Sequence, residues 1–295
     1  MSTETAYAVD REDGTIVIEG TARRSPSVDA ALVRLGLIPD FAGELRKTGE
    51  ERRAIDATFA TLSALRGELG LAPQTLDPDA VHVFGDQDFW KRWGSERRAF
   101  TQFGHVYLAR RFLFLYFLQD VTHEIIHASA LRATIDPSRN AEGAIRYVRS
   151  GFSPLDGRPD TKRWRFVGFN EGVTELIAMA IRARMAETAR SLLSEDMTRV
   201  FLGECLYPTF VLLVDDLLEA AAAGGSAEAA RDALFADYFE RSSGFLKSLA
   251  RKMPGVLGTL ATVESGRDAL AAAERLGFAK AAAAIRRRLM RRRRR

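Results

Sequence analysis

One stretch of the sequence, residues 112–131, restricts the possible folds more than any other part of the chain. It opens with an unbroken apolar run from Phe112 to Leu118 and continues into His123-Glu124-Ile125-Ile126-His127. A run of this composition predicts a helix that packs into the protein core. It is much shorter than the ~20 apolar residues that a membrane-spanning helix needs. The sequence therefore predicts a globular fold built around this helix.

The two histidines of this helix have the spacing of a metal-binding pair. His123 and His127 are one turn apart on the same helix face, where two imidazoles can hold one zinc ion. Glu124 is rotated by about 100° from His123, so its carboxylate can reach a water at the metal without being a ligand. The chain has four histidines. The other two, His82 and His105, lie in β-like segments, where we expect them to fill hydrogen-bonding positions.

Length and composition are those of a folded protein with a large core. The chain has 295 residues, of which 46% are hydrophobic, enough for one large domain or two of moderate size. The segment from Met1 to Arg11 lacks the basic and apolar regions of a secretory signal. The single cysteine, Cys205, excludes an intramolecular disulfide framework and cysteine-based zinc ribbons. We therefore expect a cytoplasmic protein without a transmembrane segment.

The positive charge of the chain is concentrated at its C-terminus. The net charge is +4, but residues 286–295 contain eight arginines, so the rest of the chain carries −4. Such a tail can attract nucleic acid or anionic lipid. The simpler interpretation is a solvated, disordered end, since no aromatic residue lies among the arginines to stack on bases.

Local patterns predict an α+β protein that is mostly helical. The predicted strands are 15–19, 81–84, 98–103, 105–110, 146–148 and 163–167, and the predicted helices are 30–36, 41–69, 86–93, 112–131, 170–188, 196–222, 226–239, 241–251 and 266–276. Glycines and prolines make the interval 132–167 irregular apart from its two strand-like pieces. The expected organisation is an N-terminal region (1–79, partly disordered and then helical), a mixed core (80–195), a helical C-terminal subdomain (196–284) and an arginine-rich tail (285–295).

A catalytic zinc site needs three protein ligands and one open position. The third ligand must be a carboxylate, or else His82 or His105. Glu171 and Glu175 are the best carboxylate candidates, because they lie four residues apart at the start of a helix that Asn170 can cap. A bound cation would relieve the repulsion between these two acids. Without a metal, they could simply complement the helix dipole.

The two motifs together resemble the zinc metallopeptidases called gluzincins, the group that contains thermolysin. The resemblance rests on His123 to His127 and on Asn170 to Glu175, and it covers roughly residues 105–175. It implies a zincin-like catalytic core with a small antiparallel sheet and an active-site helix, followed by a helical C-terminal region. It also implies that Zn²⁺ is held by His123, His127 and Glu171, that Glu124 is the general base, and that Glu175 orients His123. The strand 105–109 would form the edge of the substrate cleft.

The sequence differs from the best-known gluzincins in two respects. The interval between His127 and Glu171 is longer, so residues 132–167 would form an insertion. The position of Glu175 is usually an aspartate.

Three further residues are candidates for the site. Asp120, one turn before His123, could orient an imidazole. Tyr207 could donate a hydrogen bond to the oxyanion of the reaction, and Tyr147 is the alternative donor.

The function expected from this resemblance is zinc-dependent hydrolysis of a peptide or protein substrate. Glu124 would take a proton from the attacking water and pass it to the leaving nitrogen. Two alternatives remain open. Glu124 and His127 also match the Glu-x-x-His pattern of di-iron carboxylate bundles, which need two such pairs where this chain has one. A catalytically silent helical interaction protein would instead bind nucleic acid or membrane through its basic tail, although the presence of Glu124 beside the expected ligands favours the enzyme.

Overall fold

A computed structural model of the chain describes residues 9–10, 14–20, 26–72, 74, 77–94, 98–155, 165–223 and 225–292. The fold is α+β and mostly helical, as predicted. The strands are β1 (Val9–Asp10), β2 (Ile16–Glu19), β3 (Val81–Gly85), β4 (Ala99–Gln102), β5 (His105–Arg110), β6 (Leu131–Ile135), β7 (Ile145–Ser150) and β8 (Ser153–Leu155). The helices are α1 (Pro26–Arg34), α2 (Gly49–Glu68), α3 (Asp86–Trp93), α4 (Phe114–Ser129), α5 (Ala141–Ala144), α6 (Val167–Arg184), α7 (Ala186–Leu192), α8 (Glu195–Gly203), α9 (Pro208–Ala221), α10 (Ala227–Glu240), α11 (Gly244–Lys252), α12 (Val256–Leu260), α13 (Gly266–Arg275) and α14 (Ala279–Arg292). A short 3₁₀ helix covers Pro78–Ala80. None of the helices in the described ranges is both long enough and apolar enough to cross a bilayer.

The described residues cluster into two compact units. Unit 1 takes the described residues of 9–150 and 178–204, and unit 2 takes those of 151–155, 165–177 and 205–292. The four segments expected from the sequence remain a prediction about domain organisation.

Unit 1 contains a three-stranded sheet that packs against helix α4. β5 is its middle strand, parallel to β3 on one side and antiparallel to β4 on the other. The hairpin between β4 and β5 turns at Phe103 and Gly104, which both have positive φ. The expectation that residues 105–109 form an open cleft edge was wrong, because both sides of β5 are already hydrogen-bonded. The partly buried strand β4 is the edge strand that contacts α4.

A second sheet of unit 1 runs through the interval that the sequence predicted to be irregular. β1, β2, β6 and β7 pair in that order, each antiparallel to the next. In β6, buried Leu131, Ala133 and Ile135 alternate with outward Arg132 and Thr134, the period-2 pattern of a half-buried strand. Glycine and proline in the connecting turns hid this pattern. The predicted strand at 163–167 lies mostly outside the described residues, and Val167 begins helix α6.

Helix α2 of unit 1 begins eight residues later than the sequence predicted. Thr48 and Glu51 form a capping box: the Thr48 hydroxyl accepts the N–H of Glu51 (3.1 Å), and Glu51 accepts the N–H of Thr48 (2.7 Å). This exchange satisfies two helix-terminal donors and fixes the start of the helix. The segment before the helix is hydrogen-bonded to the three-stranded sheet, because the Leu45 N–H donates to the carbonyl of Val83 in β3 (2.7 Å).

Unit 2 is built mainly of helices around α9, which contacts α10, α11, α13 and α14. The single predicted helix 196–222 is in fact two helices, because α8 ends at Gly203 and Pro208 begins α9. Proline lacks the backbone N–H that would continue an earlier helix, and it suits the first helical position. The arginine-rich end is not disordered through residue 292, since it continues helix α14.

Candidate metal centre

Helix α4 brings the two histidines of the first motif next to each other. The Nε2 atoms of His123 and His127 lie 3.1 Å apart, and the ring planes are nearly perpendicular, at 72°. His123 is 2% exposed, so its ring is inside the protein. Nitrogen ligands 2.0–2.1 Å from a tetrahedral zinc ion are about 3.3–3.4 Å apart. The two imidazoles are thus close to the separation that a shared zinc ion requires.

Glu171 on helix α6 lies next to this pair. His123, His127 and Glu171 each offer one ligand atom, and these atoms all lie within 4.8 Å of one another. Within the described ranges, no other group of three or more histidine, cysteine or acidic residues is gathered in this way. Two imidazoles and one carboxylate form a donor set typical of catalytic zinc. The residues present therefore fit the metal that the sequence predicted.

Two glycines set the position of the α6 turn that carries Glu171. A methyl group added to Gly172 would lie 2.9 Å from backbone atoms of Phe210 in α9, and one added to Gly168 would lie 2.9 Å from the carbonyl of Val263. Both distances are too short for real carbon contacts. Only glycine at these two positions allows α6 to approach its neighbours in unit 2 so closely.

Asn170 does not cap α6, because the helix begins three residues earlier, at Val167. Its side-chain oxygen instead accepts the N–H of Phe152 (2.9 Å). The buried Asn170 side chain thereby ties the first turn of α6 to the segment that follows Gly151. The predicted cap was wrong, but the residue still anchors this turn.

Glu175 is completely buried, and one of its contacts is with the turn before α9. Its Oε1 accepts the backbone N–H of Leu206 (3.0 Å), next to Tyr207. The carboxylate thus fixes the turn that presents Tyr207, whose ring stacks against Phe210. The role expected for Glu175 in orienting His123 stays a prediction.

The two candidate oxyanion donors lie on different elements. Tyr207 is at the N-cap position of α9 and half-buried, whereas Tyr147 lies on β7 and is 40% exposed. Glu175 holds the turn of Tyr207 in place, while Tyr147 is on a strand paired opposite Thr134. Either role in the reaction stays a prediction.

Glu124 is held by a residue that the sequence did not reveal. The Thr101 hydroxyl on β4 lies 2.9 Å from Oε2 of Glu124 and 2.9 Å from its backbone carbonyl, and it can donate to either oxygen. Thr101 pairs with Val106 in the sheet, which places its side chain on the face that α4 covers. No local pattern marks Thr101, because its proximity to Glu124 depends on strand register.

Asp120, the residue one helix turn before His123, is buried in α4. Its pKa is raised to about 7, mainly by burial and also by the nearby charge of Glu124, while Arg111, Arg98 and His123 act in the opposite direction. Within the described ranges, Asp120 makes no hydrogen bond to either imidazole, and its Oδ2 is buried without a partner. Asp120 is therefore a buried acid that holds a proton up to about neutral pH.

His82 on β3 and His105 on β5 contact each other. His82 Nε2 and His105 Nδ1 lie 2.8 Å apart. Neither His82 nor His105 is part of the group formed by His123, His127 and Glu171. Both side chains lie on one face of the sheet, and the Thr101 side chain lies on the other face. The sequence could not show this pairing, which depends on the parallel register of β3 and β5.

No protein-family model matches this chain, and no curated protein or solved structure matches it either. Inferences about its chemistry therefore rest on its own residues.

Proposed function

We propose that the chain is a zinc-dependent hydrolase of peptide bonds. In this proposal His123, His127 and Glu171 hold the zinc ion, and Glu124 is the general base. The proposal rests on one observation: three ligand atoms from α4 and α6 lie within 4.8 Å of one another, and Glu124 is the residue next to one of these ligands.

Each side chain of the proposed site has a separate role in the reaction. Zinc bound by three protein ligands would supply an open position and a Lewis acid for the substrate carbonyl. Thr101 engages Oε2 of Glu124, which leaves Oε1 to accept the proton of the attacking water and return it to the leaving nitrogen. Tyr207 is the preferred hydrogen-bond donor to the developing oxyanion, with Tyr147 as the alternative.

Metal analysis tests the ligand set directly. Elemental analysis of the purified full chain should find one zinc per chain, and His127→Ala and Glu171→Gln should each remove it. The matched control is Glu187→Gln, an exposed acid on α7, which should keep the metal. Two irons per chain would favour the di-iron alternative, and full zinc content in Glu171→Gln would remove the basis of the proposal.

Activity measurement tests the role of Glu124. With a fluorogenic peptide library, the zinc-loaded wild-type chain should cleave a subset of peptides. Glu124→Gln should keep zinc and lose cleavage, typically by at least 10²-fold for a general base. Equal turnover in Glu124→Gln would show that another residue takes the proton.

The exposed arginines of α14 favour a second candidate function, binding of nucleic acid. Ala281, Ala282 and Ile285 are buried, whereas Arg286, Arg287, Arg288 and Arg291 are exposed. Arg286 pairs with Glu274, but within the described ranges no carboxylate pairs with Arg287, Arg288 or Arg291. Guanidinium groups on one helix face suit phosphates, and the buried residues Ala281, Ala282 and Ile285 are not available to insert into lipid.

A salt titration tests this second function. A labelled DNA duplex should bind the wild-type chain with an affinity that falls steeply with salt, and neutralising Arg287, Arg288 and Arg291 to glutamine should weaken binding. Neutralising the exposed Arg52 and Arg53 of α2 is the matched control. Equal loss in the control, or binding to anionic vesicles alone, would exclude a nucleic-acid surface on α14.

A further inference from the structure

A cleft of about 430 Å³ opens between three elements of unit 1. Small-molecule sites in proteins have volumes of about 300–1,000 Å³, so this cleft can hold a small ligand. Its walls are the segment 44–47, the first two turns of helix α2 and the 3₁₀ helix. None of the residues that line it belongs to the proposed metal centre. The cleft is therefore a feature that the hydrolase mechanism does not use.

The three walls of the cleft are held in place by hydrogen bonds. In the segment 44–47, the Leu45 N–H donates to the Val83 carbonyl, and the Arg110 guanidinium donates to the Arg46 carbonyl (2.8 Å). The capping box fixes the start of α2. The side chain of Asp77 caps the 3₁₀ helix. The cleft is thus formed before a ligand arrives, which lowers the entropic cost of binding.

Three cationic side chains line the cleft. Two of them, Arg46 and Arg52, make no side-chain hydrogen bond or ion pair with any residue of the described ranges. The side chain of Lys47 is only 13% exposed, and it lies 3.7 Å from Glu44, which is beyond hydrogen-bond distance. All three side chains therefore have donors for an acceptor that enters the cleft. They lie near the start of α2, where the helix dipole adds positive potential.

Two acidic side chains of the cleft, Asp56 and Asp79, also lack a side-chain hydrogen bond or ion pair within the part of the chain that the structure describes. Asp56 follows Arg52 by four residues on α2, so their Cβ atoms are about 5–6 Å apart on one helix face. A basic residue that precedes an acidic one is the weaker order of such a pair. The cleft thus offers both positive and negative groups to a ligand.

This mixture of charges restricts the class of ligand. A phosphate group would meet the carboxylates of Asp56 and Asp79, and a metal cation would meet three cationic side chains. An uncharged ligand would cover the charged groups without pairing them, which costs free energy. A molecule with one carboxylate and one ammonium group can pair with both kinds of side chain. Leu45 and Pro78 add an apolar surface to the same cleft.

We propose that this cleft is a binding site for a zwitterion with an apolar side chain, either a free α-amino acid or a short peptide. The ligand carboxylate binds the guanidinium groups of Arg46 and Arg52, with Lys47 as a further donor, because arginine suits the two oxygens of a carboxylate. The ligand ammonium group binds the carboxylates of Asp56 and Asp79. This site does not depend on the proposed hydrolase function.

Amide nuclear magnetic resonance of the ¹⁵N-labelled full chain tests the ligand class. L-leucine and leucyl-leucine represent the two sources of the zwitterion. Each is compared with its N-acetylated form, which lacks the ammonium group, and with its C-terminal amide, which lacks the carboxylate. At least one zwitterion should shift the amide signals of Leu45, Arg46 and Lys47 saturably, and its two blocked forms should bind at least ~10-fold more weakly. The zwitterion that binds more tightly identifies the source.

Inorganic phosphate is the control probe for a site that accepts any anion. The dipeptide is titrated into the Glu124→Gln chain, because the proposed hydrolase would cleave it in the wild type. Equal affinity for phosphate, equal affinity for the blocked forms, or no saturable shift in the segment 44–47 with either zwitterion would each overturn the proposal.

Substitutions in α2 test where the ligand binds. Arg52→Gln and Asp56→Asn should each weaken binding about tenfold, because each removes one charged partner of the ligand. Both side chains are exposed, so the melting temperature should stay the same. Arg53→Gln, also exposed on α2 but outside the cleft, is the matched control and should bind normally. Equal weakening in all three variants would contradict binding in this cleft, and the wild-type titrations decide the question if a variant does not fold.

Discussion

Two acids on helix α4, Asp120 and Glu124, lie one turn apart but have different surroundings. Glu124 has the Thr101 hydroxyl beside its carboxylate. Asp120 is buried without a hydrogen-bond partner for its Oδ2, and burial raises its pKa to about 7. Residue type alone does not separate these two carboxylates. Their neighbours in space do, because the Thr101 hydroxyl contacts Glu124 whereas burial disfavours the charged form of Asp120.

The raised pKa of Asp120 predicts how the stability of the metal-free chain depends on pH. The folded state keeps this proton up to about pH 7, whereas the model value for an aspartate is 3.8. Between these values the folded state binds more protons than the unfolded state, so this carboxyl makes stability fall as the pH rises. Asp120→Asn should remove this contribution and raise the free energy of unfolding above pH 7, by at most about 4 kcal/mol.

Urea unfolding of both proteins between pH 4 and pH 8.5, with a chelator present, measures this effect. The difference between the two proteins should grow up to about pH 7 and then level off. Parallel curves would show that Asp120 does not hold a proton in the fold.

The contact of Thr101 with Glu124 predicts a kinetic effect within the proposed hydrolase. Thr101→Val keeps the shape of the side chain but leaves the carboxylate of Glu124 without its hydrogen bond. A hydrogen bond to a charged group contributes about 1.5 kcal/mol, so kcat should fall about tenfold while zinc content and KM change little. Thr101→Ser should restore most of the activity. Loss of zinc in Thr101→Val would indicate a structural role instead.

At the scale of elements, close helix packing sets the position of Glu171. Gly168 and Gly172 lie four residues apart on α6 and contact Val263 and Phe210 without intervening side chains. The same helix turn presents Glu171, so its position depends on how closely α6 can pack in unit 2. The strand β4 similarly places Thr101, through pairing with β5.

Substitution of Gly172 tests this packing. Alanine normally favours a helix over glycine by about 1 kcal/mol, but here its methyl group would meet the Phe210 backbone. Gly172→Ala should therefore destabilise the chain by about 1–3 kcal/mol and weaken zinc binding. Gly203→Ala in α8, where nothing lies near the added methyl group, is the control. A stabilised Gly172→Ala protein would contradict the packing argument.

At the scale of the whole molecule, zinc binding should be coupled to folding. An ion that binds the folded chain and not the unfolded chain stabilises it by about 2.7 kcal/mol at a free concentration of 100 times Kd. Zinc should therefore raise the melting temperature, and a chelator should reverse the rise.

Two variants of the metal centre separate this coupling from catalysis. Glu171→Gln should lose the zinc-dependent rise in melting temperature, because a proposed ligand is gone. Glu124→Gln should keep it, because the general base is not a ligand. An equal rise in all three proteins would place the zinc ion elsewhere in the chain.

The sequence by itself determined the features that depend on neighbouring residues. The α-helix has a fixed pitch, so the spacing of His123 and His127 already implied a pair on one face, and α4 has that pair. The helical character of most of the chain and the strands β2, β3 and β5 were predicted for the same reason. The predicted helix boundaries were wrong where a capping residue or a proline fixes the start of a helix, as at Thr48 and Pro208.

Only the tertiary structure decided which distant residues meet. The position of the α6 turn that carries Glu171 depends on packing at Gly168 and Gly172, and the contact of His82 with His105 depends on the parallel register of β3 and β5. A one-residue shift of that register would turn His82 to the opposite face of the sheet. Local periodicity sets the face of an element on which a side chain lies, but the partner of that face is chosen by packing between segments far apart in the chain.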